Sequence, residues 1–180
     1  LLMKRLESSW FSFKNTVESI LNHHTNALTK VNAFIESKVD ATIEDDFSED
    51  ETDDIDETSE GYDGEDEEES NFTLGKKNPI HLSYITNIDV FKKHIEADVE
   101  KLTALKNNLL EFENAFNAGK AEDEKLSKLI HHITTKQKGS KNKKVLIFTV
   151  FKDTAQYLYK QLQKNGIKNL AYVSGALSET

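Results

Sequence analysis

Cysteine is absent from this chain of 180 residues, which excludes disulfides, thiolate zinc sites and thiol catalysis. No hydrophobic run is long enough for a signal peptide or a membrane span, so a soluble, reducing, cytoplasmic setting without a membrane partner is expected. Also missing is the G-x-x-x-x-G-K-[ST] loop that cradles nucleotide phosphates. LGKKNP, Leu74 to Pro79, lacks the first glycine, the final Ser or Thr and any strand before it. No DEAH-type acidic motif for magnesium occurs, and Arg5 is the only arginine. Apolar residues amount to 37%, low for a single compact core of this length.

That shortage has a local cause. Between Glu44 and Glu69 stand 17 Asp and Glu and no Lys or Arg. The formal charge of −9 therefore averages two unlike parts, because the rest of the chain sets 15 acids against 23 bases. This basic remainder could approach phosphate although the whole chain is acidic. The acidic stretch, placed at residues 40–79, cannot bury enough apolar surface to offset chain entropy, and its like charges repel. It is expected to be disordered or poorly ordered.

On either side of it lie two matched apolar stripes. From Leu2 to about Ile35, Leu6, Trp10, Phe13, Val17, Ile20, Leu28, Val31 and Ile35 recur at spacings that mark one face of a helix. The stripe, roughly 34 residues, therefore reads as one helix about 50 Å long within the region 1–39. The second stripe runs through Ile88, Phe91, Ile95, Val99, Leu102, Leu105, Leu109, Phe112 and Phe116. Thr86 and Asp89 have the spacing of a capping box, and Gly119 sits where a glycine would end the helix. Neither stripe can bury itself, so packing on each other as a long antiparallel helical hairpin is the expected solution. A shorter helix from Ala121 to about Lys136 completes the region 80–137.

Residues 138–180 change character. After the basic turn KGSKNK come an apolar strand, Lys144 to Thr149, an amphipathic helix, Asp153 to Asn165, with Gly166 as its stop, and a second strand, Leu170 to Val173. Apolar strands alternating with a helix indicate a parallel sheet, which needs several neighbours and cover on both faces. The expected fold class is thus mainly α with a partial α/β element, and the motif looks incomplete. A start at Leu1, Leu2, Met3, inside a helical pattern, fits an excised segment of something larger.

The succession KVLIFT, KDTAQYLYKQL and SGALSE resembles the opening of the second RecA-like lobe of Swi/Snf-type ATP-dependent motors of helicase superfamily two. KRLESSWFSFKNTVESIL, from Lys4, is similar to the segment that bacterial members carry between the two lobes, and DEKLSKLI, from Asp123, to the approach to the second lobe. The resemblance implies a helicase or translocase that uses ATP and magnesium in the intact enzyme, acts on nucleic acid, with duplex DNA foremost, and has the first RecA-like lobe of the same protein as a partner. It implies no cofactor and no hydrolysis for this chain alone, because the nucleotide-binding lobe is missing. The second-lobe motif that supplies arginines to the nucleotide would lie beyond Thr180.

Ligands of doubly wound sheets gather beyond the C-terminal strand ends, and helix N-termini offer free N–H groups to phosphate. These rules single out Thr149, Lys152, Thr154, Ser174 and Gly175 as candidates for contacting a nucleic-acid backbone, and the resemblance points to the same turns. The plainer roles are that Asp153 caps its helix, Ser178 caps the next one and Gly175 permits a turn. No catalytic or metal-ligating residue is assigned. The pairs His23 with His24 and His131 with His132 are neighbours about 100° apart on a helix, not the i, i+4 arrangement that chelates zinc. Trp10 reads as a packing anchor on its stripe. Lys138, Lys141, Lys143 and Lys144 could meet phosphate or form a solvated loop. The acidic block is either a solubilising spacer or a competitor with nucleic acid for a basic channel. A different class, a non-enzymatic helical hairpin whose acidic loop binds basic partners, fits the same stripes, which could also pair between chains in a homo-oligomer.

Overall fold

A computed structural model describes residues 2–39, 72–75 and 77–174. They are mainly helical: α1 (Leu2–Ser8), α2 (Trp10–Val39), α3 (Ile88–Asn117), α4 (Glu124–Gly139) and α5 (Lys152–Lys164). A two-stranded antiparallel sheet pairs β1 (Thr73–Leu74) with β2 (Ile80–His81). No described helix is long and apolar enough to cross a membrane. The chain divides into two compact units, one of residues 1–17 with 105–180 and the other of residues 18–104.

The first stripe is not one helix, because Ser9 divides it into α1 and α2. The Ser9 hydroxyl accepts from the Ser12 N–H at 3.0 Å and so satisfies one of the four N–H groups that a helix start leaves without a partner. The end of α3 fits its sequence better. Gly119 takes φ +68°, its N–H donates to the Phe116 carbonyl at 3.0 Å, and the Lys120 N–H reaches the Ala115 carbonyl at 2.8 Å. This is a Schellman end, which needs the left-handed backbone that glycine adopts without penalty. Gly166 closes α5 the same way, with Ile167 donating to the Leu162 carbonyl at 3.0 Å. At the other end of α3 it is Asn87, not Thr86, that caps, its Oδ1 accepting from Val90 at 3.1 Å. Asp123 does the same for α4, accepting from Leu126 at 3.0 Å.

In the unit of residues 18–104, Val31 and Phe34 of α2 share a buried core with Ile95 of α3 and Leu82, while Leu28, Phe91 and Val99 pack around them. Leu82 opens a 3-10 turn, Leu82–Tyr84, and is fully buried. Its N–H donates to the Phe72 carbonyl at 2.9 Å, which ties the turn to the sheet. The hairpin was not anticipated: its described residues lie partly in the stretch read as poorly ordered, and LGKKNP does follow a short strand. It leads into a second strand rather than a helix, so it is a hairpin turn and no phosphate loop. Phe72 and Leu74 explain its order, since both pack against the apolar core.

In the unit of residues 1–17 and 105–180, Trp10 is the anchor its position implied. Its ring lies 5.1 Å from Phe112, 5.6 Å from Phe116 and 5.7 Å from Tyr157, all edge-on. Beside this cluster Lys14 pairs with Glu113 at 2.7 Å.

The segments read as strands, Lys144 to Thr149 and Leu170 to Val173, are neither strand nor helix, and the expected βαβ element is not seen among the described residues. Exposure nevertheless alternates along the first: Leu146, Phe148 and Val150 are 79%, 86% and 92% exposed, Val145 and Ile147 40% and 39%. An alternation of this kind is what a strand would show, but no strand is assigned to these residues. Strand pairing fails for a physical reason, because a parallel ladder requires neighbouring strands and a covering layer.

Candidate functional site

The first turn of α5 gathers most of the residues singled out from the sequence. Phe151 occupies the cap position without a side-chain cap bond. Thr154, 3% exposed, has its Oγ1 2.9 Å from the Ser8 hydroxyl and 3.0 Å from the Ser9 hydroxyl. Thr149 Oγ1 lies 3.5 Å from Ser8 Oγ and accepts from the Phe151 N–H at 3.4 Å. Lys152 is exposed on the same turn. A cleft of about 480 Å³ opens beside it, lined by Lys4, Glu7, Phe148, Val150 and Leu158 among others.

Asp153 does not cap α5. It accepts instead from the only arginine, Arg5, at 3.1 Å, and from the Ser12 hydroxyl at 3.4 Å. The Arg5 guanidinium also lies 4.6 Å from the centre of the Phe151 ring, a cation–π distance. This pair is largely shielded from water, so its two charges are worth more to each other than exposed ones and would cost more if either were removed.

A second polar chain runs deeper. Trp10 Nε1 donates to the Tyr157 hydroxyl at 3.0 Å, and that hydroxyl donates to Asp123 at 2.7 Å. Burial, and then the hydrogen bond to the Asp123 carboxylate, push the Tyr157 phenol well above its usual value, with Trp10 opposing. The phenol therefore stays protonated and acts as a relay of hydrogen bonds, not as an acid.

Five candidate residues thus meet different fates. Thr149 and Thr154 come together through Ser8, with Lys152 exposed beside them; the Thr154 hydroxyl is committed to the two serines. Ser174, half-buried, makes no hydrogen bond with that group. Gly175 lies outside the described residues, as does Ser178. Reading the sequence missed Arg5, Ser8, Ser9 and Ser12. One signal was available: Ser9, Ser12, Thr16 and Ser19 recur at helical spacing, and all four are buried. His131 and His132 are exposed, and no group of three His, Asp or Glu that could hold a metal occurs among the described residues.

A larger cleft, about 900 Å³, lies along the segments on either side of α5. Its walls include Val145, Leu146 and Ile147 from one segment and Leu170 from the other, with Ile133 of α4 and Leu162 of α5 behind them. Lys143, Lys144 and Lys168 also line it. Comparison of the chain with protein families, curated proteins and solved structures finds no match.

Proposed function

We propose that this chain is the inter-lobe helical region and the opening of the second RecA-like lobe of a Swi/Snf-like ATP-dependent translocase, acting on nucleic acid and foremost on duplex DNA. The observation that carries the reading is the arrangement of residues 144–173: two apolar segments, joined by an amphipathic helix, line one cleft without pairing as strands. Covering a Leu or Phe side chain contributes about 1.5–3 kcal/mol, so the outward row of Leu146, Phe148 and Val150 is a surface suited to the remaining layers of an α/β lobe. In this reading ATP and magnesium are held by the partner lobe, whose phosphate loop and acidic motif this chain does not carry. Hydrolysis there alternately closes and opens the two lobes. The chain contributes grip on the nucleic-acid backbone, through Lys152, Thr149, Ser174 and Gly175, and couples lobe movement to the long helices. Thr154 becomes a positioning residue that fastens the start of α5 to Ser8 and Ser9.

The test is DNA-stimulated ATP hydrolysis by the full-length protein, with the 180-residue chain alone as an inactive control. Lys152→Glu in the full-length protein should lower DNA affinity and DNA-stimulated turnover together. A full-length protein whose ATPase activity ignores DNA, or which has none, overturns the reading in favour of a helical hairpin that binds partners without catalysis.

A further inference from the structure

We infer that the cleft along residues 143–147 and 166–170 is a docking surface for an extended acidic peptide with apolar side chains at alternate positions. This does not depend on the translocase reading and competes with it for one surface, since in an intact α/β lobe the same main chain would pair with further strands.

Charge supplies the first argument. Residues 125–178 hold eleven lysines and one acid, Asp153, which Arg5 engages. Among the described residues no carboxylate pairs with Lys143, Lys144 or Lys168, and none lines the cleft. A positive rim without compensation among the described residues attracts an acidic ligand and sets its orientation. The floor supplies the second argument. Leu146, Ile147, Ile167 and Leu170 give the cleft an apolar wall that a ligand made only of charge would leave wet. The main chain supplies the third. No N–H or C=O group of residues 145–148 is hydrogen-bonded to another described main-chain group, so a peptide strand can pair along it while its alternate side chains enter the apolar wall.

Nucleic acid meets only the first of these conditions. Phosphates would match the lysines, but the bases would find aliphatic side chains and no aromatic platform in this cleft, where stacking on aromatics is the usual contact for single strands.

The test is a fluorescence anisotropy titration of the 180-residue chain with a labelled octapeptide alternating glutamate and valine, at about 50 mM salt. Binding should weaken about tenfold or more in Lys143→Glu/Lys168→Glu and about fivefold in Leu146→Ser. All three positions are exposed, and unchanged helical circular dichroism verifies the fold of each variant. The titration is repeated on a variant lacking residues 44–69, which removes 17 acids as competitors for the probe; tighter binding there supports the assignment. It is overturned if neither protein binds the peptide, if a lysine–valine octapeptide binds equally well, if the substitutions change nothing, or if oligothymidylate displaces the peptide from the same lysines. Loss of DNA-stimulated ATPase activity in the full-length protein upon Lys152→Glu reads the other proposal and leaves this one unaffected.

Discussion

The two units of the molecule use the same pair of long helices to opposite ends. In residues 18–104 the buried face is almost wholly apolar: Val31, Phe34, Leu82 and Ile95 form one cluster, closed by a short hairpin and a 3-10 turn. In residues 1–17 and 105–180, by contrast, Ser9 before α2 and Ser12 and Thr16 within it are buried, and burial is secured by hydroxyl contacts, the Arg5–Asp153 pair and the Trp10–Tyr157–Asp123 chain. Small residues let the start of α5 come close enough for hydrogen bonds between side chains. The lesson is that an apolar stripe tells which way a helix faces, not what holds it there. Apolar cores tolerate shape errors at a modest cost, whereas a buried polar network is specific because any member left alone pays its full desolvation penalty.

Substitutions can separate these two modes, and the largest effect is expected at Leu82. Leu82→Ala should cost about 2–5 kcal/mol, the range for emptying a fully buried leucine site. Urea unfolding followed by helical circular dichroism should shift, while the fluorescence of Trp10, which belongs to the other unit, should shift less. Coincident shifts would mean that the units unfold as one and that the distinction drawn between them has no thermodynamic content.

Tyr157→Phe tests the polar mode. It keeps the ring contacts but leaves the Trp10 N–H and the Asp123 carboxylate without their shared partner, a loss of about 1–3 kcal/mol. It also carries a pH signature. The phenol is pushed up in the folded chain, so its contribution is fully present below the unfolded tyrosine value of about 10 and is lost as pH rises from there through the higher folded value. Stability of the parent chain should therefore fall more steeply above about pH 10 than that of the phenylalanine variant. Parallel alkaline slopes would show that the hydroxyl is not protected by the fold.

Gly119→Ala should have a smaller effect. An added Cβ meets no atom within 4 Å, so the cost is only that of the left-handed backbone, about 1 kcal/mol. Lys128→Met should have the smallest, below about 1 kcal/mol, since its pair with Glu124 at 3.6 Å is exposed to water and such pairs contribute little. Equal costs for Lys128→Met and Tyr157→Phe, both read by thermal unfolding, would show that the buried hydroxyl holds this unit no better than an exposed ion pair.

What the sequence made legible was periodic or local. The stripes through Phe13, Val17 and Val31 and through Ile95 and Phe112 gave the long helices, and Gly119 and Gly166 gave the ends of α3 and α5, because a glycine stop depends on a few adjacent residues. The break at Ser9 was not read, since a serine inside an apolar stripe looks the same whether it caps or simply faces water. Nor was the hairpin of Thr73 to His81, whose strands are too short to show alternation. Asp153 illustrates the limit most plainly. Its position favoured a cap, but its partner, Arg5, lies 148 residues away in the chain, and no local rule reaches that far.

The apolar segment from Val145 to Phe151 has one more consequence, for colloidal behaviour. A long apolar edge with open main-chain groups invites edge-to-edge aggregation with other copies. Lys143 and Lys144 stand directly before it and Lys152 directly after it, the flanking charges that act as gatekeepers of such a run. Their mutual repulsion between approaching copies is screened by salt. The chain's solubility is therefore tied to ionic strength and to the charge state of three lysine side chains, and acetylating them would remove the guard without touching the fold.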